Sequence, residues 1–197
     1  MPTYVRPIVL VVCALVVAGR GLAPGAHAQT RPVPEEFTAL AVNGSSAGGA
    51  TTIVDIRVTR WSTDAEQARF ARELATSGPD AFLAALSDAR PVGSIQSPGS
   101  LPWPLRFARQ EALGDGGRRI LILTDRPIGA WEMALDAASL DYPLSLIQLQ
   151  LNAEGEGEGV ISVATRISVD AKLDRFGLDN YDGTPIRLVD VRSRRST

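Results

Sequence analysis

The chain has 197 residues, a length typical of one domain or at most two small ones. Apolar residues make up 45% and charged residues 21%, which are proportions of a globular protein and not of a disordered one. The formal net charge of −2 gives no basic field, so a nucleic-acid partner is not expected. The 18 glycines and 13 prolines favour a turn-rich chain over a helix bundle.

The beginning of the chain has the pattern of a secretory signal peptide, residues 1–28. Arg6 precedes an apolar run over residues 8–18, and the small-x-small sequence Ala26-His27-Ala28 follows. The apolar run is shorter than the roughly 20 residues that a membrane span requires, and Arg20 closes it. We therefore expect cleavage after Ala28, no stable membrane insertion of the mature chain, and a periplasmic or extracellular location.

Cleavage at this position would remove the only cysteine, Cys13, and the only histidine, His27. The mature chain could then form no disulfide, no metal site built on Cys or His, and no Ser-His-Asp triad. It would also lack any side chain whose unperturbed pKa lies near neutrality. This composition favours a protein that is not an enzyme and that needs no cofactor.

The remaining chain reads as one domain with short extensions. Residues 29–36 contain two prolines and two glutamates and predict a disordered leader. Residues 37–192 contain no stretch with the composition of an interdomain linker, and residues 193–197 predict a flexible tail.

Two strands and a helical pair are predicted first. In the second strand, residues 51–61, Val54, Ile56 and Val58 alternate with polar residues, which is the period of a strand with one wet face. Thr63-Asp64-Ala65-Glu66 then matches the capping box at a helix start. Gly78 predicts the end of this first helix, and Pro79 the start of a second one.

The rest of the chain alternates between apolar runs and turn signals. Gly114-Asp115-Gly116-Gly117 predicts a hairpin turn, the run over residues 120–123 predicts a central strand, and Leu146 and Ile147 predict a bulge. The predicted strands of the whole domain span residues 37–43, 51–61, 92–96, 104–111, 119–124, 144–151, 159–169, 172–178 and 185–191. This pattern predicts an α+β fold that is mainly antiparallel β, a sandwich or barrel of about eight strands with the helical pair inserted after the second.

Four short motifs resemble those of a group of exported bacterial proteins of unknown function. They are Trp61-Ser62-Thr63-Asp64, Thr124-Asp125-Arg126-Pro127, Asp141-Tyr142-Pro143, and Asn180-Tyr181 followed by Pro185-Ile186-Arg187-Leu188. The resemblance covers most of residues 37–192. It implies export and a single domain, and it implies no activity, ligand or partner.

Three carboxylates around the end of the predicted central strand are the candidate catalytic residues: Asp125, Glu132 and Asp141. Glycoside hydrolases use two carboxylates that face each other, so a carboxylate-dependent hydrolase is one hypothesis. The structural alternative is simpler. Asp125 precedes a proline turn and can accept hydrogen bonds from the backbone amides of that turn. Glu132 would lie in the first turn of a helix, where its negative charge complements the helix dipole.

Aromatic residues are the candidate lining of a ligand pocket: Trp61, Trp103, Trp131 and Tyr142. Such residues could enclose a small apolar ligand in a barrel, although aromatics in antiparallel domains more often pack in the core. Glu154, Glu156 and Glu158 alternate with glycines and are the candidate calcium ligands. The glycines instead favour a solvated hairpin tip, since ordering such a ribbon costs entropy. The leading hypothesis is thus a non-enzymatic exported domain with a binding or structural role.

Overall fold

The structure, a computed structural model, describes residues 34–43, 50–125, 144–163, 166–170, 175–179 and 185–195. All of them belong to the compact unit Arg31–Thr197. In chain order, the elements in these residues are β1 (Glu35–Asn43), β2 (Ala50–Val58), α1 (Asp64–Ser87), β3 (Gly93–Gln96), β4 (Trp103–Leu105), β5 (Phe107–Ala112), β6 (Arg118–Thr124), β7 (Ser145–Leu151), β8 (Glu156–Val163), β9 (Arg166–Asp170), β10 (Arg175–Asp179) and β11 (Ile186–Arg195).

Nine strands form one antiparallel sheet in the order β4-β3-β2-β1-β11-β8-β7-β6-β5. Its two outermost strands, β4 and β5, follow each other in the chain and are separated only by Arg106. At this junction the Arg106 amide donates to the carbonyl of Leu123 at 2.9 Å, and the Thr124 hydroxyl donates to the carbonyl of Pro104 at 2.9 Å. Because β4 thus meets β6, the sheet is nearly closed into a barrel. The prediction of a mainly antiparallel fold is confirmed, with nine strands in this sheet instead of about eight.

The inner face of the sheet carries a continuous apolar core. The predicted alternation of Val54, Ile56 and Val58 is confirmed, since all three are buried. They share the core with side chains from the other walls, including Phe37, Leu105, Ile120, Ile147, Ile161 and Leu188. Each strand of the nine-stranded sheet supplies at least one inward-facing residue to this core, because side chains alternate between the two faces of a strand.

The helix begins as predicted, and it is broken where the sequence predicted a stop. The Thr63 hydroxyl accepts from the Glu66 amide, and the Glu66 carboxylate accepts from the Thr63 amide, which completes the capping box. At Gly78 the chain leaves helical geometry, with φ of 85°, and Pro79 follows. Glycine adopts this φ without steric cost, so α1 consists of two helical segments that meet at a kink at the predicted position.

Helix α1 covers the outer face of the sheet next to the barrel junction. Phe70 and Phe82 on the helix pack in a second apolar cluster with Phe107, Leu123 and Leu146 on the strands. The predicted bulge at Leu146 and Ile147 was wrong, because β7 pairs with β6 and β8 in unbroken register. Both residues are apolar because Ile147 faces the barrel core and Leu146 faces the helix.

A bulge does occur in β11. The register against β8 shifts between Leu188 and Val191, and the register against β1 shifts between Val189 and Arg192, so that β11 accommodates one extra residue. Asp190 lies in this bulge with φ of 52°, the one non-glycine residue with positive φ in the described part of the chain. Asp tolerates this conformation better than most side chains do.

Several boundaries differ from the predicted ones. Strand β1 begins at Glu35, within the predicted leader, and β11 continues to Arg195, within the predicted tail. The single strand predicted over residues 159–169 is divided between β8 and β9, and β9 pairs with β10 in a separate two-stranded sheet. In the described part of the chain, no helix combines the length and apolar character needed to cross a bilayer.

Candidate functional site

Asp125, the first candidate catalytic carboxylate, is enclosed at the barrel junction. Its side chain is only 6% exposed and forms an ion pair with Arg106, with 3.2 Å between Nε and Oδ1. The Ser87 hydroxyl at the end of α1 donates to its other oxygen at 3.0 Å. Arg106 in turn donates to the carbonyl of Ala89 at 2.9 Å. Asp125 therefore joins strand β6, the β4–β5 junction and the helix end, and both of its oxygens are occupied.

The contacts of Asp125 with described side chains are consistent with its predicted structural role, and the turn that follows it lies outside the described residues. Glu132, Asp141, Trp131 and Tyr142 lie outside the described residues.

The two described tryptophans belong to the barrel core. Trp61 is 8% exposed within the inner cluster, and Trp103 on β4 packs against the same cluster. Ala41, Ala108 and Ile122 are fully buried in the interior. The described inner wall is therefore packed side chain against side chain, as in a small barrel whose interior is filled.

The acidic ribbon forms the exposed turn between β7 and β8 and the beginning of β8. Glu154 lies in the turn after β7, whereas Glu156 and Glu158 are exposed on β8. Glycines alternate with them because a Cβ at Gly157 would lie 2.0 Å from the Gln150 carbonyl oxygen on the neighbouring strand. Among the described residues, no group of three or more His, Cys, Asp or Glu side chains is arranged to hold a metal ion.

An ion pair inside the barrel was missed by the sequence analysis. Glu35 on β1 and Arg118 on β6 have side chains that are 3% and 12% exposed. Arg118 donates to both carboxylate oxygens of Glu35, to Oε2 at 2.7 Å, and also to the hydroxyl of Ser193 at 3.1 Å. Glu35 lies on the same face of β1 as the buried residues Phe37 and Ala39. The predicted strand began at Phe37, and an extension by two residues would have placed the Glu35 side chain inward.

The electrostatics of this pair have competing causes. Burial by itself raises the pKa of Glu35, but hydrogen bonds and charge from Arg118, with smaller contributions from Ser193 and Arg195, outweigh it and leave the pKa lowered. The Glu66 carboxyl at the helix start behaves similarly. Burial by itself raises its pKa, but hydrogen bonds from Arg60 and the Thr63 amide outweigh this effect, so the net pKa is lowered.

Two polar grooves lie on the outer face of the sheet. The first, called here the ion-paired groove, has a volume of about 480 Å³ and is lined by Glu36, Phe37, Thr38, Asp55, Ile56, Arg57, Ser94, Gln96, Pro102 and Arg194. Its polar groups largely satisfy each other. Arg57 pairs with Glu36 at 2.5 Å, and the Thr38 hydroxyl donates to Asp55 at 2.8 Å.

The second groove, called here the arginine groove, has a volume of about 400 Å³ and is lined by Arg119, Gln148, Leu149, Gln150, Glu158, Gly159, Val160 and Arg187. It crosses strands β6, β7, β8 and β11. The sequence signal for it is the pair of outward-facing glutamines on β7, between inward-facing Ile147, Leu149 and Leu151. Recognising the groove also required the strand order, because Arg119 and Arg187 are far apart in the chain.

No family model matches the chain, and neither curated proteins nor solved structures gave a match.

Proposed function

We propose that this chain is a non-enzymatic domain, exported from a bacterium, with a binding or structural role carried by the outer face of its barrel. The observation that carries the proposal is the tight apolar packing of the inner wall in the described strands. Since the inner wall is occupied by apolar side chains such as Phe37, Ile56 and Ile147, accessible polar side chains are found on the outer face. The signal-peptide pattern and the resemblance to exported bacterial proteins support the export part of the proposal.

The alternatives make different demands on the structure. A carrier of a small apolar ligand needs an interior cavity, and the packing of the described inner wall weighs against one. A carboxylate-dependent hydrolase needs an accessible carboxylate facing a second one across a cleft. Asp125 is instead committed to Arg106 and Ser87.

Two measurements test the binding proposal against these alternatives. Solvent extraction of the purified protein followed by mass spectrometry should release no stoichiometric apolar compound. A panel of chromogenic glycoside and ester substrates should show no hydrolysis above that of the Asp125→Asn variant. A co-purified apolar ligand would establish the carrier. An activity lost in Asp125→Asn, with the variant still folded at the assay temperature, would establish the hydrolase.

The export part has its own test. Expression of the full chain in a bacterial host with a periplasm, followed by intact-mass analysis of the periplasmic fraction, should give a mature form beginning at Gln29. Replacement of the small residues before the cleavage point, with Ala26→Leu and Ala28→Leu, should abolish processing because signal peptidase requires small side chains there. A mass that retains Cys13, or a lipid on it, would contradict the proposal.

A further inference from the structure

The arginine groove differs from the ion-paired groove in the state of its polar side chains. In the ion-paired groove, Glu36 pairs with Arg57 and Thr38 bonds Asp55. In the arginine groove, by contrast, the structure records no ion pair or hydrogen bond to another described residue for the side chains of Arg119, Gln148, Gln150, Glu158 and Arg187. Both of these pairs of polar side chains in the ion-paired groove are thus internal to it, whereas the five polar side chains of the arginine groove have no such partner among the described residues.

The register of the sheet arranges these side chains in two neighbouring rows. Arg119 on β6 lies beside Gln150 on β7, which lies beside Glu158 on β8. In the next row, Gln148 on β7 lies beside Val160 on β8, which lies beside Arg187 on β11. The two arginines are thus at opposite sides of the groove, three strand spacings and one row apart, which is about 16 Å along the sheet at the backbone.

The chemistry of the set restricts the ligand. Guanidinium groups donate hydrogen bonds to oxyanions in a planar fork and carry a permanent positive charge. Glutamine amides both donate and accept, and an ionised glutamate only accepts. A simple oxyanion would satisfy the arginines but would be repelled by Glu158. A ligand that carries both oxyanions and hydroxyl groups satisfies the donors and the acceptor together.

Resting on the proposed binding function, we propose that the arginine groove binds a short acidic oligosaccharide. Its carboxylates are placed at Arg119 and Arg187, its hydroxyl and ring oxygens meet Gln148 and Gln150, and one hydroxyl donates to Glu158. The open, polar form of the groove on a sheet face suits an extended polar ligand better than a compact apolar one.

The test is a titration of the mature protein with tetragalacturonate, followed by calorimetry and by the side-chain amide NMR signals of Gln148 and Gln150. Maltotetraose is the neutral control of equal length, and inorganic phosphate is the simple oxyanion control. We expect binding of tetragalacturonate that weakens with salt, shifts of both glutamine signals, and no binding of maltotetraose. Phosphate that displaces the saccharide at equal concentration would overturn the saccharide assignment.

Substitutions locate the site. Arg119→Gln and Arg187→Gln should each weaken binding about tenfold, since each removes a charge-assisted hydrogen bond. Arg192→Gln is the matched control, because Arg192 is an exposed arginine of β11 that does not line the groove. Equal weakening by all three variants would mean diffuse charge attraction and would overturn the site.

Glu158→Gln tests the hydroxyl contact. If Glu158 accepts from the saccharide, this variant should bind no more tightly than the wild type. Tighter binding would show that the carboxylate only repels the ligand, and it would overturn that contact. Unchanged thermal unfolding of each variant excludes loss of folding. An absence of saccharide binding, with no hydrolysis and no co-purified apolar compound, would reject this site while leaving the proposed function in place.

Discussion

The carboxylate of Glu35 lies inside one end of the barrel with the guanidinium of Arg118 bonded to both of its oxygens. The two residues belong to β1 and β6, and 83 positions separate them in the chain. Arg118 also contacts Gln110 on β5 and Ser193 on β11, at 3.1 Å in each case. One buried charge pair therefore ties the first strand to the wall on the far side of the barrel.

Removal of Glu35 alone should lower the free energy of unfolding by more than the net contribution of the Glu35–Arg118 pair to stability. Glu35→Ala leaves Arg118 charged and enclosed without its counter-ion, and the free energy of unfolding should fall by about 3–5 kcal/mol. Replacement of both partners, with Glu35→Leu and Arg118→Met, should restore much of this loss because no buried charge remains. Urea unfolding of Glu35→Leu, of Arg118→Met and of the double variant measures the coupling. Simple additivity of the single losses would contradict a direct interaction.

The same pair should make stability depend on pH in the acid range. The pKa of Glu35 in the folded protein is lowered from its ordinary value of 4.5. Its contribution to stability is therefore complete above about pH 4.5 and is lost as the pH falls through the lower folded-state pKa. Thermal unfolding between pH 6 and pH 2 should show a steeper decline for the wild type than for Glu35→Gln. Parallel curves would contradict the lowered pKa.

Asp125 should behave as a structural residue with a requirement for charge. Asp125→Ala leaves the mostly buried Arg106 unpaired and should lower stability by about 3 kcal/mol, with a fall in Tm of about 2–4 °C per kcal/mol. Asp125→Asn should also lower stability, because asparagine keeps an acceptor but not the charge that pairs with Arg106. Ser87→Ala, which removes one neutral donor, should cost only about 1 kcal/mol.

The bulge in β11 should tolerate glycine at position 190. Asp190 has φ of 52°, so Asp190→Gly should be neutral or stabilising, and Asp190→Asn should change little. Asp190→Val should lower stability by about 1–2 kcal/mol, because a β-branched side chain is strained in this conformation. Denaturant midpoints of the three variants check the order. A valine variant as stable as the glycine variant would show that the bulge shifts to relieve the strain.

The glycines of β8 should be required for stability because the backbone of β7 lies too close to leave room for a Cβ atom. A Cβ at Gly157 would lie 2.0 Å from the Gln150 carbonyl oxygen, whereas a Cβ at Gly114 would meet nothing within 4 Å. Gly157→Ala should therefore lower stability by about 1–3 kcal/mol or more, because the neighbouring strands must move apart. Gly114→Ala should stay within about 0.5 kcal/mol of the wild type. Equal effects at the two positions would mean that β8 shifts at little cost.

Local patterns in the sequence determined the parts of the fold that neighbouring residues decide. The capping box of Thr63 and Glu66, the hairpin turn before Gly117 and the inward face of Val54, Ile56 and Val58 all follow from chemistry within a few residues. Each of these predictions is confirmed. They were accessible because hydrogen bonds to adjacent amides, and the two-residue period of a strand, do not depend on distant partners.

The tertiary structure alone decided which side chains from different strands and from the helix lie against each other. Leu146 and Ile147 resemble a bulge in the sequence, but a helix on one side and the core on the other explain both. Likewise, the glycines of β8 resemble a loose loop until the backbone of β7 is placed against them. The pairing of Glu35 with Arg118, and the meeting of Arg119 and Arg187 in one groove, depend on strand order and register. Those are set by long-range packing and barrel closure, which no local pattern encodes.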